Sequence, residues 1–259
     1  DDLNVREYLR MRNAHKDAVK KVKQQILAFL LRQGIKYSAT NWTKAHITWL
    51  HGLKFDHVLL KETLDEYITS LENYTAKLER LDKRIGEFAQ GDKYQEKVAE
   101  LGCLLGIKTQ AAMTMISEIS DFSRFRTASE FASFLGLVPG ENSSGEKTQR
   151  TSITKSGNSQ CRKTLIEAAA GICRGKVGHK SKELLRRQAL CNNPIAISYA
   201  DRANERLRSK FYRLNLRNKK PANVAETAVA RELACFIWGI MTDTYDGKVP
   251  RSDEYALGK

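Results

Sequence analysis

The sequence has no uninterrupted apolar run of the ~18 residues that a membrane-spanning helix needs, and no signal peptide opens it. A membrane partner is therefore not expected. Its five cysteines (Cys103, Cys161, Cys173, Cys191 and Cys235) form no Cys-x-x-Cys pair and leave one over. That argues against a disulfide framework and against a zinc site, and it suits a reducing cytoplasm. His46, His51 and His57 lie close together, but no cysteine joins them and no carboxylate keeps a metal-motif spacing. They are expected in packing or at the surface, and no metal site is expected in this chain.

Cationic side chains are abundant. The chain has 259 residues, 41% of them hydrophobic, enough for one large or two ordinary domains, and a formal net charge of +14. Residues 1–100 carry 18 Lys+Arg against 15 Asp+Glu, whereas residues 101–259 carry 26 against 15. The excess, +3 against +11, sits in the second part, so a polyanion is the partner that composition favours. A basic protein without a nucleic-acid role is the alternative.

Asp1-Asp2-Leu3-Asn4-Val5 leads almost directly into a helical pattern with no initiator Met, so the chain reads as a fragment. Val5, Leu9, Val19, Val22, Ile26, Phe29 and Leu30 recur at helical spacing, and Gly34 supplies a stop. Residues 35–53 form a connector containing Tyr37, Trp42 and Trp49. The clearest periodicity follows. Leu64, Leu71, Leu78 and Ile85 occupy heptad position a, with Leu60, Tyr67, Tyr74, Leu81 and Phe88 at d. Two readings stand: a coiled coil that makes a homo-oligomer, or an antiparallel hairpin with the helix of residues 3–33. The tyrosines at d suit the antiparallel seam better. Gly91-Asp92 ends the helix, giving a helical, coiled-coil region over 1–92.

A compact helical domain is expected over 93–242, and a mobile tail over 243–259. The fold class is all-α. Leu105-Gly106-Ile107-Lys108-Thr109, opening a helix with Ala111 and Ala112, has the pattern of a helix-hairpin-helix. In such a turn Gly106 permits the tight bend, and N–H groups at the next helix start can hold a phosphate beside Lys108 and Thr109. An ordinary helical turn is the competing reading. Further basic residues follow: Arg174, Lys176, Lys180, Lys182, Arg186 and Arg187, then Arg202, Arg206, Arg208, Lys210, Arg213, Arg217, Lys219 and Lys220. They are either solvated helix faces or a nucleic-acid surface on which Phe211 and Tyr212 stack bases.

The order of motifs from residue 121 to 170 is more specific. Phe131-Ala-Ser-Phe-Leu-Gly-Leu-Val-Pro139 is followed by Asn142-Ser143-Ser144-Gly145, Ile153-Thr-Lys155-Ser-Gly-Asn158, and Arg162 before a small-residue helix. This order resembles the C-terminal transposase domain of the IS110 class of bacterial insertion sequences. Val5–Arg12 resembles that family's linker into its coiled coil, and Val229–Trp238 resembles its last helix, so the likeness runs over about residues 3 to 242. The resemblance implies a DNA transposase and recombinase, cytoplasmic and nucleoid-associated, acting on element ends and target DNA. It also implies, for some members, guidance by a structured noncoding RNA, the bridge RNA. By motif match the serine nucleophile is Ser144, with Ser143 the ambiguous neighbour.

A serine that attacks a phosphodiester must be exposed, lose its proton and face donors that stabilise the phosphorane. Arg150, Lys155, Asn158 and Arg162 are the candidates around it, either for that role or as phosphate clamps that only position DNA. The family's RuvC-like domain, with four acidic residues expected to bind a divalent metal such as Mg, has no counterpart here. The chain by itself is then expected to bind nucleic acid without recombining it, whether the gene is truncated, split or cut for expression. A non-catalytic nucleic-acid-binding remnant and a coiled-coil assembly module are the rival readings.

Overall fold

Apolar residues three and four apart place a continuous stripe on one side of a helix, and the first and third helices of the chain use such stripes against each other. The computed structural model describes residues 2–141 and 150–245, with Arg150 described by its backbone alone. The chain divides into two compact units: Glu7–Ile85, and Gly86 onward together with the first six residues.

In the first unit, α1 (Asp2–Arg32) and α3 (Val58–Ala89) are joined through α2 (Lys44–Gly52). Contacts pair early residues of α1 with late residues of α3: Arg12 with Asp82, His15 with Tyr74 and Phe29 with Tyr67. The two helices are therefore antiparallel. Val22, Ile26, Phe29 and Leu30 of α1 pack with Leu64, Ile68 and Leu71 of α3 and with Leu50 of α2. Each such burial stabilises the hairpin by about 1.5–3 kcal/mol. The middle of the α3 seam is thus covered by α1 of the same chain, which is the hairpin reading.

The strict heptad needs correcting in two places. Ile68, outside the a/d set, is 1% exposed, whereas Phe88, at d, is 46% exposed and its neighbour Ala89 is buried. A helix of 3.6 residues per turn drifts by ~20° per heptad from a 3.5-residue repeat, so over several heptads the inward position shifts by one residue.

The second unit is built on α10 (Ala222–Met241), apolar on nearly every side, with Val229, Leu233, Ile237 and Ile240 fully buried. Around it lie α6 (Ala128–Phe134), α7 (Ser159–Cys173) and α9 (Pro194–Tyr212), with α4 (Gln95–Gly102) at its C-terminal half. The second unit also contains α5 (Thr109–Ile119) and α8 (Lys182–Ala189). Among the described residues the only sheet pairs β1 (Pro139–Glu141) antiparallel with β2 (Arg150–Ile153), Pro139 opposite Ile153 and Glu141 opposite Arg150. The architecture is otherwise all-α.

Asp243 and Tyr245, assigned from sequence to a mobile tail, are tied back: Asp243 pairs with Lys97 at 2.6 Å, and the Tyr245 hydroxyl accepts from Asn193. The rest of that tail lies outside the described residues.

Candidate nucleic-acid interface

The two family-like motifs on either side of Ser144 meet at the base of the β-hairpin. Gly136 (φ +65°) and Gly157 (φ +70°) stand where two backbone segments cross. A Cβ on Gly157 would run into the Phe134 carbonyl, and one on Gly136 into the backbone of Lys155 and Ser156. Only glycine tolerates both the left-handed backbone and the approach. Arg162 on the first turn of α7 then binds the crossing together, its guanidinium donating to the Leu135 carbonyl at 3.0 Å and to the Ser156 carbonyl at 2.8 Å.

Asn158 is the N-cap of α7. Its Oδ1 accepts from the Cys161 amide at 2.9 Å, and its Nδ2 donates to Glu118 Oε2 at 2.7 Å. The structure therefore gives Asn158 and Arg162 positioning work within the protein. Both were candidates for contact with phosphate. A polar group already matched by protein partners gains little from a ligand. Glu118, buried at the end of α5, completes this base and carried no signal in the sequence. Lys155 is exposed, with its backbone in the left-handed region (φ 57°) and its N–H donating to the Gly136 carbonyl. Ser143 and Ser144, in the segment that joins β1 to β2, lie outside the described residues, as does the Arg150 side chain.

The turn before α5 is held from inside. Gly106 (φ +79°) faces the Ala168 carbonyl of α7 so closely that a Cβ would collide with it. Asn204 of α9 accepts from the Leu105 amide at 2.7 Å and donates to the Cys103 carbonyl at 3.0 Å, while Arg187 donates to the Ile107 carbonyl. Lys108 takes the N-cap position of α5 without a side-chain cap bond and pairs with Glu183 at 2.9 Å. Thr109 begins the helix. Gly106 thus serves close packing against α7, beyond the turn geometry expected from sequence.

The basic residues divide by environment. Lys210 (2.6 Å) and Arg206 pair with the buried Glu232, and Lys180 pairs with Asp201. Arg202 donates to the Tyr245 carbonyl. Arg208, 6% exposed, donates to the carbonyls of Ile172, Lys176 and His179. Tyr212, a candidate for stacking, donates its hydroxyl to the Gly175 carbonyl at 3.2 Å and so is held in place. Burial pushes the thiols of Cys103 and Cys173 up to about 12 and that of Cys235 to about 11, so all three stay protonated near neutrality and offer no thiolate nucleophile. Among the described residues no group of three His, Cys, Asp or Glu side chains is placed to hold a metal, and no helix is long and apolar enough to cross a membrane.

Residues 100–184, which contain the α4–α5 turn, the crossing and α7, match the model of the transposase IS116/IS110/IS902 family. Over those residues the chain belongs to that family. The putative transposase y4qE of Sinorhizobium fredii is 33% identical over 237 residues, covering 91% of this chain and 56% of its own length. The transposase for insertion sequence element IS1533 of Leptospira borgpetersenii is 28% identical over 224 residues, 85% of this chain and 64% of its own. The transposase for IS1111A of Coxiella burnetii is 30% identical over 135 residues, 48% of this chain and 37% of its own. The chain therefore spans less than two thirds of the length of these relatives.

Proposed function

We propose that the chain is the DNA-binding and strand-exchanging part of an insertion-sequence transposase, with Ser144 as its nucleophile. The observation that carries this reading is the base of the β-hairpin. Two left-handed glycines and the Arg162 clamp hold both ends of the segment containing Ser144 in one geometry. Fixing the flanks of a reactive loop restrains its hydroxyl at low entropic cost during the reaction. Conserving atoms, Ser144 Oγ forms a bond to a DNA phosphorus and the bond from that phosphorus to a deoxyribose oxygen breaks. The serine proton passes to a base, and the departing oxygen is protonated. A second DNA hydroxyl then reverses the step and frees the serine. Lys155, exposed beside the crossing, and Arg150, on the strand that leaves the segment, are the cations proposed to neutralise the phosphorane.

The reading includes three partners: duplex DNA, a structured noncoding RNA, and a RuvC-like domain whose acidic residues would hold a divalent metal such as Mg. The described residues do not fit that metal, and no step above passes through it. Self-association through the middle of α3 is not part of the proposal, because α1 covers Leu64, Ile68 and Leu71.

A serine nucleophile leaves a covalent protein–DNA adduct, whereas an activated water leaves free ends. With a RuvC-like domain joined to the chain and element-end DNA as substrate, Ser144→Ala should abolish the trapped adduct. Binding should stay within about threefold, as one neutral hydroxyl contributes ~0.5–1.5 kcal/mol. Full adduct from Ser144→Ala refutes the assignment, and loss on Ser143→Ala alone moves it one residue upstream.

A further inference from the structure

Two basic clusters far apart in sequence meet at one corner of the second unit. The C-terminus of α9 continues into a single π-helical turn, Arg213–Arg217, closed by a hydrogen bond from the Asn218 amide to the Arg213 carbonyl five residues back at 3.0 Å. Lys219 follows in the left-handed region (φ 51°), an uncommon backbone for a residue with a Cβ, and Pro221 caps α10. Arg213, Arg217, Lys219 and Lys220 are all exposed, and none has a carboxylate partner among the described residues.

The loop after α7 is fastened to this turn by its backbone. Tyr212 bonds the Gly175 carbonyl, and Arg208 bonds those of Lys176 and His179. Gly175 has no room for a Cβ, because the Arg208 guanidinium lies against it. This seating ties the exposed Lys176 to the residues just before the π-turn, whereas Arg174, also exposed, turns back onto α7 and donates its Nε to the Ala170 carbonyl at 3.1 Å. Five cations from two stretches of chain, Lys176 with Arg213, Arg217, Lys219 and Lys220, are therefore linked at this corner, and the acid Glu226 of α10 lies close enough to Cys173 to raise its thiol. The neighbouring Arg206 and Lys210 are instead neutralised by Glu232.

We infer that the α9–α10 corner is a second duplex-DNA contact surface, gripping backbone phosphates away from the β-hairpin. Unpaired guanidinium and ammonium groups on a fixed backbone match a line of phosphates and read no sequence. Duplex DNA is the occupant because the matched relatives are transposases of insertion elements, so the inference rests on the proposed function. The corner stands at the C-terminal end of α7 and the hairpin crossing at its N-terminal end. Fifteen residues of helix put them roughly 22 Å apart. The corner therefore holds phosphates several base pairs from the one under attack.

The test measures the affinity of the whole chain for duplex DNA over a salt series. Arg213→Ala with Arg217→Ala, all exposed positions, should lower the slope of log affinity against log salt by about 1.8, two phosphate contacts at ~0.9 each. Lys219→Ala with Lys220→Ala should do the same. The matched control is Lys182→Ala with Arg186→Ala, an equal loss of exposed charge on α8, which should leave the slope within about 0.5 of the parent. An unchanged slope in both corner pairs, or an equal fall in the control, overturns the inference, as does an effect confined to a structured RNA probe. If the parent chain binds the duplex without salt dependence, the proposed function itself fails. Circular dichroism with unchanged helicity and melting confirms that the variants are folded.

Discussion

The α1–α3 hairpin and the helical unit that follows it are held together in different ways. The hairpin is an apolar seam between long helices, with Val22, Ile26 and Phe29 facing Leu64, Ile68 and Leu71. In the second unit, backbone segments touch at glycines, and polar side chains bond carbonyls from distant parts of the chain: the half-buried Arg162 at the hairpin crossing, and the buried Asn204 and Arg208 at the turn before α5 and the loop after α7. A seam tolerates trimming in proportion to the volume removed. A backbone crossing has no slack, because the colliding atom is a carbonyl that cannot rotate aside.

The largest effect should come from Gly157→Ala. The substitution combines a left-handed φ with collision against the Phe134 carbonyl, so the second unit should lose about 3 kcal/mol or more in chemical denaturation. A loss below about 1 kcal/mol would mean that the crossing opens easily, and the contrast between the two regions would disappear.

Seam truncation should be intermediate and graded by burial. Ile68→Ala removes a side chain that is 1% exposed and should cost about 2–5 kcal/mol, whereas Phe88→Ala, at a position 46% exposed, should stay near 1 kcal/mol or less. Equal losses would restore the strict heptad, in which Phe88 faces inward and Ile68 does not.

The smallest effect concerns a polar group inside the apolar region. His46 is fully buried among Tyr37, Trp42 and Trp49, its Nδ1 accepts from the Trp42 amide, and its Nε2 has no partner among the described residues. Burial holds its pKa below the usual 6.5. The unfolded chain therefore takes up a proton first, and the hairpin should lose stability as pH falls below about 6.5, until the folded form also titrates. Melting followed by near-ultraviolet circular dichroism of the tryptophans should show this decline, and His46→Gln should flatten it. A parent profile as flat as the variant's contradicts the buried, neutral imidazole.

These contrasts follow what could be read from residue order. The apolar stripes of α1 and α3 were visible because a helix repeats every 3.6 residues whatever surrounds it. Phe88 and Ile68 were misplaced because a pattern fitted to 3.5 accumulates error along a 32-residue helix. The motif order around residues 131–162 singled out this segment, but the β-hairpin it forms was not read from sequence. The roles of Asn158 and Arg162 within it did not follow, because an amide or guanidinium looks the same in sequence whether it meets a phosphate or a carbonyl. Glu118 left no trace at all, as its partner is 40 residues away.

Residue order alone determined the all-α class, the antiparallel option for α1 and α3, the basic excess beyond residue 100 and the family of the transposase segment. Each depends on local periodicity, on summed charge or on a fixed succession of motifs. Tertiary structure alone decided which charges remain available. Arg206, Lys210 and Arg208 meet Glu232 or backbone carbonyls, while Arg213, Arg217, Lys219 and Lys220, a few residues further on, meet no carboxylate among the described residues. Charge adds along a chain, but its neutralisation depends on distance in space, which sequence spacing does not carry beyond one or two helical turns.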